Sequence, residues 1–161
     1  MSSANGAGAK PAAKKAKQFY FDSKGMHKNQ QTDMMMDTES VLNGNLGEEV
    51  LPYVSEYVED QMENVHNLQR IALPSVDAPA HCDIFVSPEL ETFDNILVIT
   101  TNKRDTKPGI WSRGLCISDG LEKGSMLSTI KAAQGVGYGI VILNARTNVS
   151  ENLLRRSKNT S

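Results

Sequence analysis

Two unbroken apolar runs, joined through a helical stripe, constrain this chain more than any other feature. Ile96-Leu97-Val98-Ile99 and Ile140-Val141-Ile142-Leu143 carry no polar residue on either face. Strands of that kind belong at the buried centre of a parallel sheet, with helices on both sides. Between them Met126, Leu127, Ile130 and Ala133 recur at helical spacing, and Ser125 stands where an N-cap is needed. Strand, crossover helix and strand across Asn95–Asn144 make a βαβ unit, which is parallel and right-handed in nearly all proteins. The 161 residues leave room for one domain around it.

Upstream elements are weaker. Residues 1–17 are mostly Ala, Gly, Ser and Lys, so a disordered basic tail is expected. Phe19-Tyr20-Phe21 reads as a short strand running into a turn at Asp22–Gly25, and residues 26–46 as a loop over the domain. Val50, Leu51, Val54, Tyr57, Val58, Met62 and Val65 then predict a helix from about Gly47 to Val65. Pro52 is tolerable near its first turn. Leu68–Leu73 and Cys82–Ser87 are short strands that pair as a loose hairpin, and Glu89–Phe93 looks like one helical turn. Residues 145–161 read as a polar C-terminal tail.

Charge divides by segment. Lys10, Lys14, Lys15 and Lys17 stand in the first 17 residues without an acid. Residues 29–69 hold nine carboxylates and no Lys or Arg. Four of those acids, Glu56, Glu59, Asp60 and Glu63, lie opposite the apolar stripe of the long helix, which predicts a solvated acidic face. The net charge of −2 gives no reason to expect direct nucleic acid contact. No run is long enough to span a membrane, and the N-terminus lacks a signal-peptide core. A nuclear or cytoplasmic protein that is not secreted follows, with Cys82 and Cys116 as reduced thiols.

Catalytic chemistry finds no foothold. No Gly-x-Ser-x-Gly elbow is present, and no base or oxyanion loop can be placed beside Ser112, Ser118, Ser125 or Ser128. His66, His81 and Cys82 lack the count and spacing of a zinc site, and no cofactor is implied. Gly135-Val136-Gly137-Tyr138-Gly139 precedes a strand instead of opening a helix, so it is a helix stop and a turn. Lys103, Arg104 and Asp105 follow the Ile96–Ile99 strand, where open α/β sheets bind ligands, and read either as an anion site or as a solvated loop. Trp111, with Arg113 beside it, is either a core anchor or an interface residue. Met34–Met36 is either an adaptable partner patch or a cover for the sheet.

The order of these pieces resembles the N-terminal half of the Argonaute-binding-protein-two domain. The resemblance runs from about Gln18 to Asn144. It rests on Phe19-Tyr20-Phe21, the helix with Tyr53 and Tyr57, Ile84-Phe85-Val86-Ser87, Ile96–Ile99, Gly109-Ile110-Trp111-Ser112-Arg113 and Gly137-Tyr138-Gly139 leading into Ile140–Asn144. That family is similar to the α/β-hydrolase fold. The resemblance therefore implies a partial three-layer sandwich: a mainly parallel sheet with an N-terminal antiparallel hairpin, truncated after its fourth strand. Family members tend to carry His-Gly after the third strand, where this chain has Thr101-Asn102. The later half, with its elbow-like turn, lies beyond Ser161.

A non-catalytic interaction protein akin to RNA-silencing and heterochromatin-associated factors is thus expected. Its implied partners are an Argonaute, a chromatin enzyme, or another copy through the sheet edge left open by the Ile140–Leu143 strand. Trp111, Arg113, Glu56, Glu59, Asp60 and Glu63 are the candidate surface. The alternative is the N-terminal portion of an esterase-like hydrolase whose catalytic half lies elsewhere.

Overall fold

The structure, a computed structural model, describes residues 19–36, 39, 41, 47–78, 81–100 and 107–144. The tails at 1–17 and 145–161 and the charged triplet Lys103, Arg104 and Asp105 lie outside them. Strands β1 (Phe19–Phe21) and β2 (His27–Asn29) pair antiparallel, with Phe19 opposite Asn29. The turn between them is tied by Asp22, whose carboxylate accepts from the Lys24 and Met26 amides at 2.9 Å each. The sequence indicates β1 and the turn. It gives no sign of β2, because His-Lys-Asn lacks strand alternation.

Helix α1 (Gly47–Asn64) appears where the apolar period puts it, with Pro52 inside. Its stripe serves two cores. Val50, Val54 and Val58 pack with Phe19, Phe21, Ile110, Cys116, Ile117 and Leu121 in the first. Met62, one turn further on, joins Leu68, Phe85, Ile99, Met126, Ile130, Ile140 and Ile142 in the second. Burying a side chain of this size contributes roughly 1.5–3 kcal/mol, so α1 is the member that unites the fold.

The second core lies against a four-stranded sheet. Strands β3 (Gln69–Leu73), β4 (Cys82–Val86), β5 (Ile96–Ile99) and β6 (Gly139–Ile142) stand in the order β3-β4-β6-β5. The hairpin of β3 and β4 forms as expected, with Ile71 opposite Ile84. β5 and β6 are parallel, as a βαβ unit requires, with Val98 opposite Val141. The sheet is not mainly parallel, however. β4 runs antiparallel to both β3 and β6, so β5–β6 is the one parallel pair in it. A short link between β3 and β4 reverses the chain, and β6 then pairs with the reversed strand.

Strand order corrects a second expectation. β6 lies between β4 and β5, so among the described residues the edges of the sheet are β3 and β5, and the last strand is not one of them. Gly139 and Leu143 donate to the carbonyls of Asn95 and Ile99 at 2.9 and 2.8 Å. The groups of Ile96 and Val98 therefore point to the free side, because alternate residues of a strand bond to opposite neighbours.

Among the described residues three short helices stand between β5 and β6: α2 (Arg113–Ser118), α3 (Leu121–Gly124) and α4 (Leu127–Gly135). A turn of 3-10 helix at Leu90–Thr92 matches the single turn foreseen there. Gly137, at φ 82°, makes the left-handed step after α4 that a side chain would strain.

Candidate functional site

Trp111 owes its position to a bolt between the start of α2 and the end of α3. Ile110 is buried and bridges to Ser125. The Trp111 and Ser112 amides both donate to the Gly124 carbonyl, at 2.9 and 3.0 Å. Ser112 then caps α2, its Oγ accepting from the Leu115 amide at 3.4 Å. Ser125, expected as a helix cap, is fully buried and donates to the Leu121 carbonyl at 2.6 Å. It also accepts from the Leu127 amide at 3.3 Å, so the capping role holds in part. The backbone is rigid here, while the side chains face outward. Trp111 is 41% exposed and Leu115 is 42% exposed. That resolves the open choice for Trp111 against a core anchor. Arg113, at the first position of α2, is half-buried between them in sequence.

The acidic helix face divides in two. Glu56 and Asp60 are exposed as expected. Glu59 is buried and meets Arg70 at 3.1 Å and Lys107 at 3.6 Å. Glu63 grips the same guanidinium with both oxygens, at 3.0 and 3.1 Å. Arg70 also lies 3.5 Å from Asp83 and 4.9 Å from the centre of the Phe85 ring. The two-pronged bond to Glu63 raises the Arg70 pKa further, so the guanidinium stays charged. Glu59 and Glu63 therefore clamp α1 to β3: Glu59 is buried away from solvent, while Glu63 and Arg70 stay partly exposed. The sequence hides this because the partner sits on a strand that lies beside the helix only after folding.

Two buried groups bear on chemistry. Cys116 is fully buried, and burial pushes its thiol up to about 12. A thiol held neutral is not a nucleophile at pH 7. Cys82 is on β4 and half-exposed. His27 is fully buried with no hydrogen-bond partner on either ring nitrogen. The rings of Phe19, Phe21 and Tyr53 surround it at 5.3–6.5 Å between centroids. Burial lowers its pKa to about 4. His66 bonds Gln134 at 3.0 Å, while Gln134 donates to the His66 carbonyl at 2.8 Å, tying the exit of α1 to α4. Among the described residues no three His, Cys, Asp or Glu side chains are grouped to hold a metal.

The sheet leaves one face open. Phe85, Leu97, Ile99, Ile140 and Ile142 point into the second core. Strand alternation sends Ile71, Leu73, Ile84, Ile96, Val98 and Val141 to the other side. There Val98 is 56% exposed and Ile96 45%. The Leu90–Phe93 turn covers the start of β6, where a Cβ on Gly139 would stand 2.9 Å from both Leu90 and Phe93. Val86, opposite Val141 on this face, is buried too, so the exposed part is at β5 and at the β3 residues Ile71 and Leu73. The expected three layers are therefore two over this region.

Comparison with known proteins places the chain. The family model described as the Arb2 domain matches residues 13–161. The chain belongs to the Arb2 domain family. It is 30% identical to the mouse cotranscriptional regulator ARB2A over 101 residues, 61% of this chain and 24% of that protein. The Xenopus tropicalis ARB2A homolog is 32% identical over 109 residues, 66% of this chain and 25% of its own length. The Dictyostelium discoideum ARB2A homolog is 35% identical over 71 residues. This Arb2 chain spans about a quarter of the length of the first two relatives. No solved structure matches it. No helix among its described residues is long and apolar enough to cross a membrane.

Proposed function

We propose that this Arb2 chain is a non-catalytic interaction module that acts in the nucleus with RNA-silencing or chromatin machinery. The observation that carries the reading is the outward presentation of Trp111 and Leu115 on a rigid backbone, with Arg113 between them. Trp and Arg are the side chains most often found to dominate protein interfaces, and a fixed scaffold lowers the entropy cost of docking. The name of the mouse and frog relatives, cotranscriptional regulator, supports a regulatory partner over a small-molecule substrate. The chemistry of the described nucleophile candidates points the same way. Cys116 is held neutral, and His27 sits among rings with no acid beside it.

The partner is a protein of the Argonaute or chromatin-enzyme class, with an apolar cleft for the indole and a carboxylate for Arg113. Affinity capture from source cells with wild-type and Trp111→Ala chains tests this. Recovery of a silencing or chromatin component by the wild type, reduced at least about tenfold by the substitution, is the expected result. Equal recovery by both chains rejects the Trp111 surface.

A further inference from the structure

Two helices end at the same corner of the molecule. The last turn of α1 closes tightly, with the Val65 and His66 amides both donating to the Gln61 carbonyl at 3.0 and 3.1 Å. α4 ends in a similar manner. The Val136 and Tyr138 amides donate to the Ala133 carbonyl at 3.2 and 3.0 Å, and Gly137 takes the left-handed step. The paired bonds between His66 and Gln134 fasten one ending to the other. β6 starts from this corner, where the Gly139 amide donates to Asn95 just before β5. The corner therefore lies at the amino ends of the parallel pair. Open α/β sheets bind small ligands at the other ends of their strands.

Three apolar side chains stand in the open there. Val65 and Val136 are more exposed than Trp111, and Tyr138 is only slightly less so. None of the three belongs to either core. Their backbone is already fixed by the bonds above, so docking on them orders little that was free.

Electrostatics decide what such a surface receives. A helix carries roughly half a negative charge at its carboxyl end, and two such ends meet here. Neither α1 nor α4 has a basic residue in its last turn. The Leu90–Thr92 turn, which packs on Gly139, adds exposed Glu91, and exposed Asp94 follows it. Residues 71–102 and 132–144 contain no Lys or Arg. Lys131, one turn back on α4, is the cation nearest in sequence to that helix end. A negative field of this kind repels a phosphate backbone or an anionic lipid surface and draws a basic protein segment.

We propose that the joined ends of α1 and α4 are a docking surface for a basic segment of a partner protein. Its Lys or Arg side chains lie against the helix ends, Glu91 and Asp94, and an apolar side chain lies on Val65, Val136 and Tyr138. The Trp111 segment is anchored in the first core through Ile110, so the two surfaces stand on different cores.

The probe is a fluorescein-labelled peptide of alternating lysine and leucine, with a twin in which glutamate replaces every lysine. Anisotropy titrations use the full chain. The wild type is expected to bind the lysine peptide, more weakly as salt rises, and to leave the glutamate twin unbound. Val136→Ser with Tyr138→Ser, and separately Glu91→Gln with Asp94→Asn, should each weaken binding about tenfold. All four positions are exposed, and circular dichroism checks that the fold persists. Val65→Ser replaces a pair that does not fold. Glu56→Gln with Asp60→Gln, which removes acids elsewhere on α1, retains the affinity, and so does Trp111→Ala. Failure of the lysine peptide to bind overturns the proposal, as does equal binding of the two peptides or full affinity in either paired variant. Loss of binding in either control overturns it too, by placing the probe elsewhere. Self-association of the chain that Val136→Ser with Tyr138→Ser abolishes gives the surface to a second copy and has the same consequence. Capture through Trp111 is unaffected by these results, so the two readings fail separately.

Discussion

Gly124 is pressed against Cys116 so closely that a Cβ on it would stand 2.2 Å from the Cys116 amide nitrogen. The obstacle is helix backbone, which cannot rotate away as a side-chain tip can. The same glycine's carbonyl accepts from both Trp111 and Ser112. This contact sets the spacing of α2 and α3, and through them the orientation of the Trp111 segment. Gly124→Ala is expected to destabilise the chain by about 3 kcal/mol or more, at the upper end of overpacking costs. Urea unfolding measures it, and Trp111 fluorescence reports any shift of the segment.

Arg70 gives a contrast between networked and isolated charge. Arg70→Met removes the partner of Glu63 and leaves buried Glu59 with Lys107 alone. A loss of about 2 kcal/mol is expected, discounted from fully buried pairs because the guanidinium is partly exposed. Asp60→Ala, on the exposed half of the same helix, should stay within about 0.5 kcal/mol of wild type. Thermal unfolding of both variants checks the difference.

His27 makes stability depend on pH. Its pKa falls from 6.5 to about 4 on folding, so the unfolded chain binds the proton more tightly. The stability tied to the neutral ring is fully present above pH 6.5. It is lost as the pH falls from 6.5 toward 4, at about 1.4 kcal/mol per pH unit, reaching roughly 3 kcal/mol. The charged groups on adjoining positions, Lys28 and Asp22, form an ion pair at 3.5 Å and do not touch the ring. His27→Leu should remove this slope and match or exceed wild-type stability at pH 7, because no hydrogen bond is given up. Denaturant midpoints between pH 4 and 7.5 test both statements.

The two thiols should separate cleanly. Native-state alkylation at pH 8 is expected to modify Cys82 and to spare Cys116, whose thiol stays protonated to about pH 12. Mass spectrometry after a timed quench reads the ratio. Comparable modification of both residues would show that the first core opens on the labelling timescale.

Residues such as Ile96–Ile99 and Ile130 announced their elements because strand and helix periods are local properties. The hairpin of β3 and β4 and helix α1 were legible for the same reason. The direction of β4 was not, since antiparallel and parallel partners leave the same apolar run in one strand. The place of β5 at the edge was hidden too: Val98 is as apolar as a central residue, although it is 56% exposed. Helix α2 covers only six residues, too few to show a period. Of the candidate surface, Trp111 was visible as a residue but not as an exposed one. The burial of Glu59 was not legible, because its partner Arg70 stands on a different element.

Helix α1 gives Val54 to one core and Met62 to the other, eight residues along the same rod. Neither core can melt while the rod stays intact, and the rod has no reason to persist without both. The hairpin at the N-terminal end and the sheet at the other are therefore not independent modules joined by a spacer. Heat or denaturant should release them in a single event, and damage at one end, such as a charge placed at Phe21, should be felt as looser amide protection along β6.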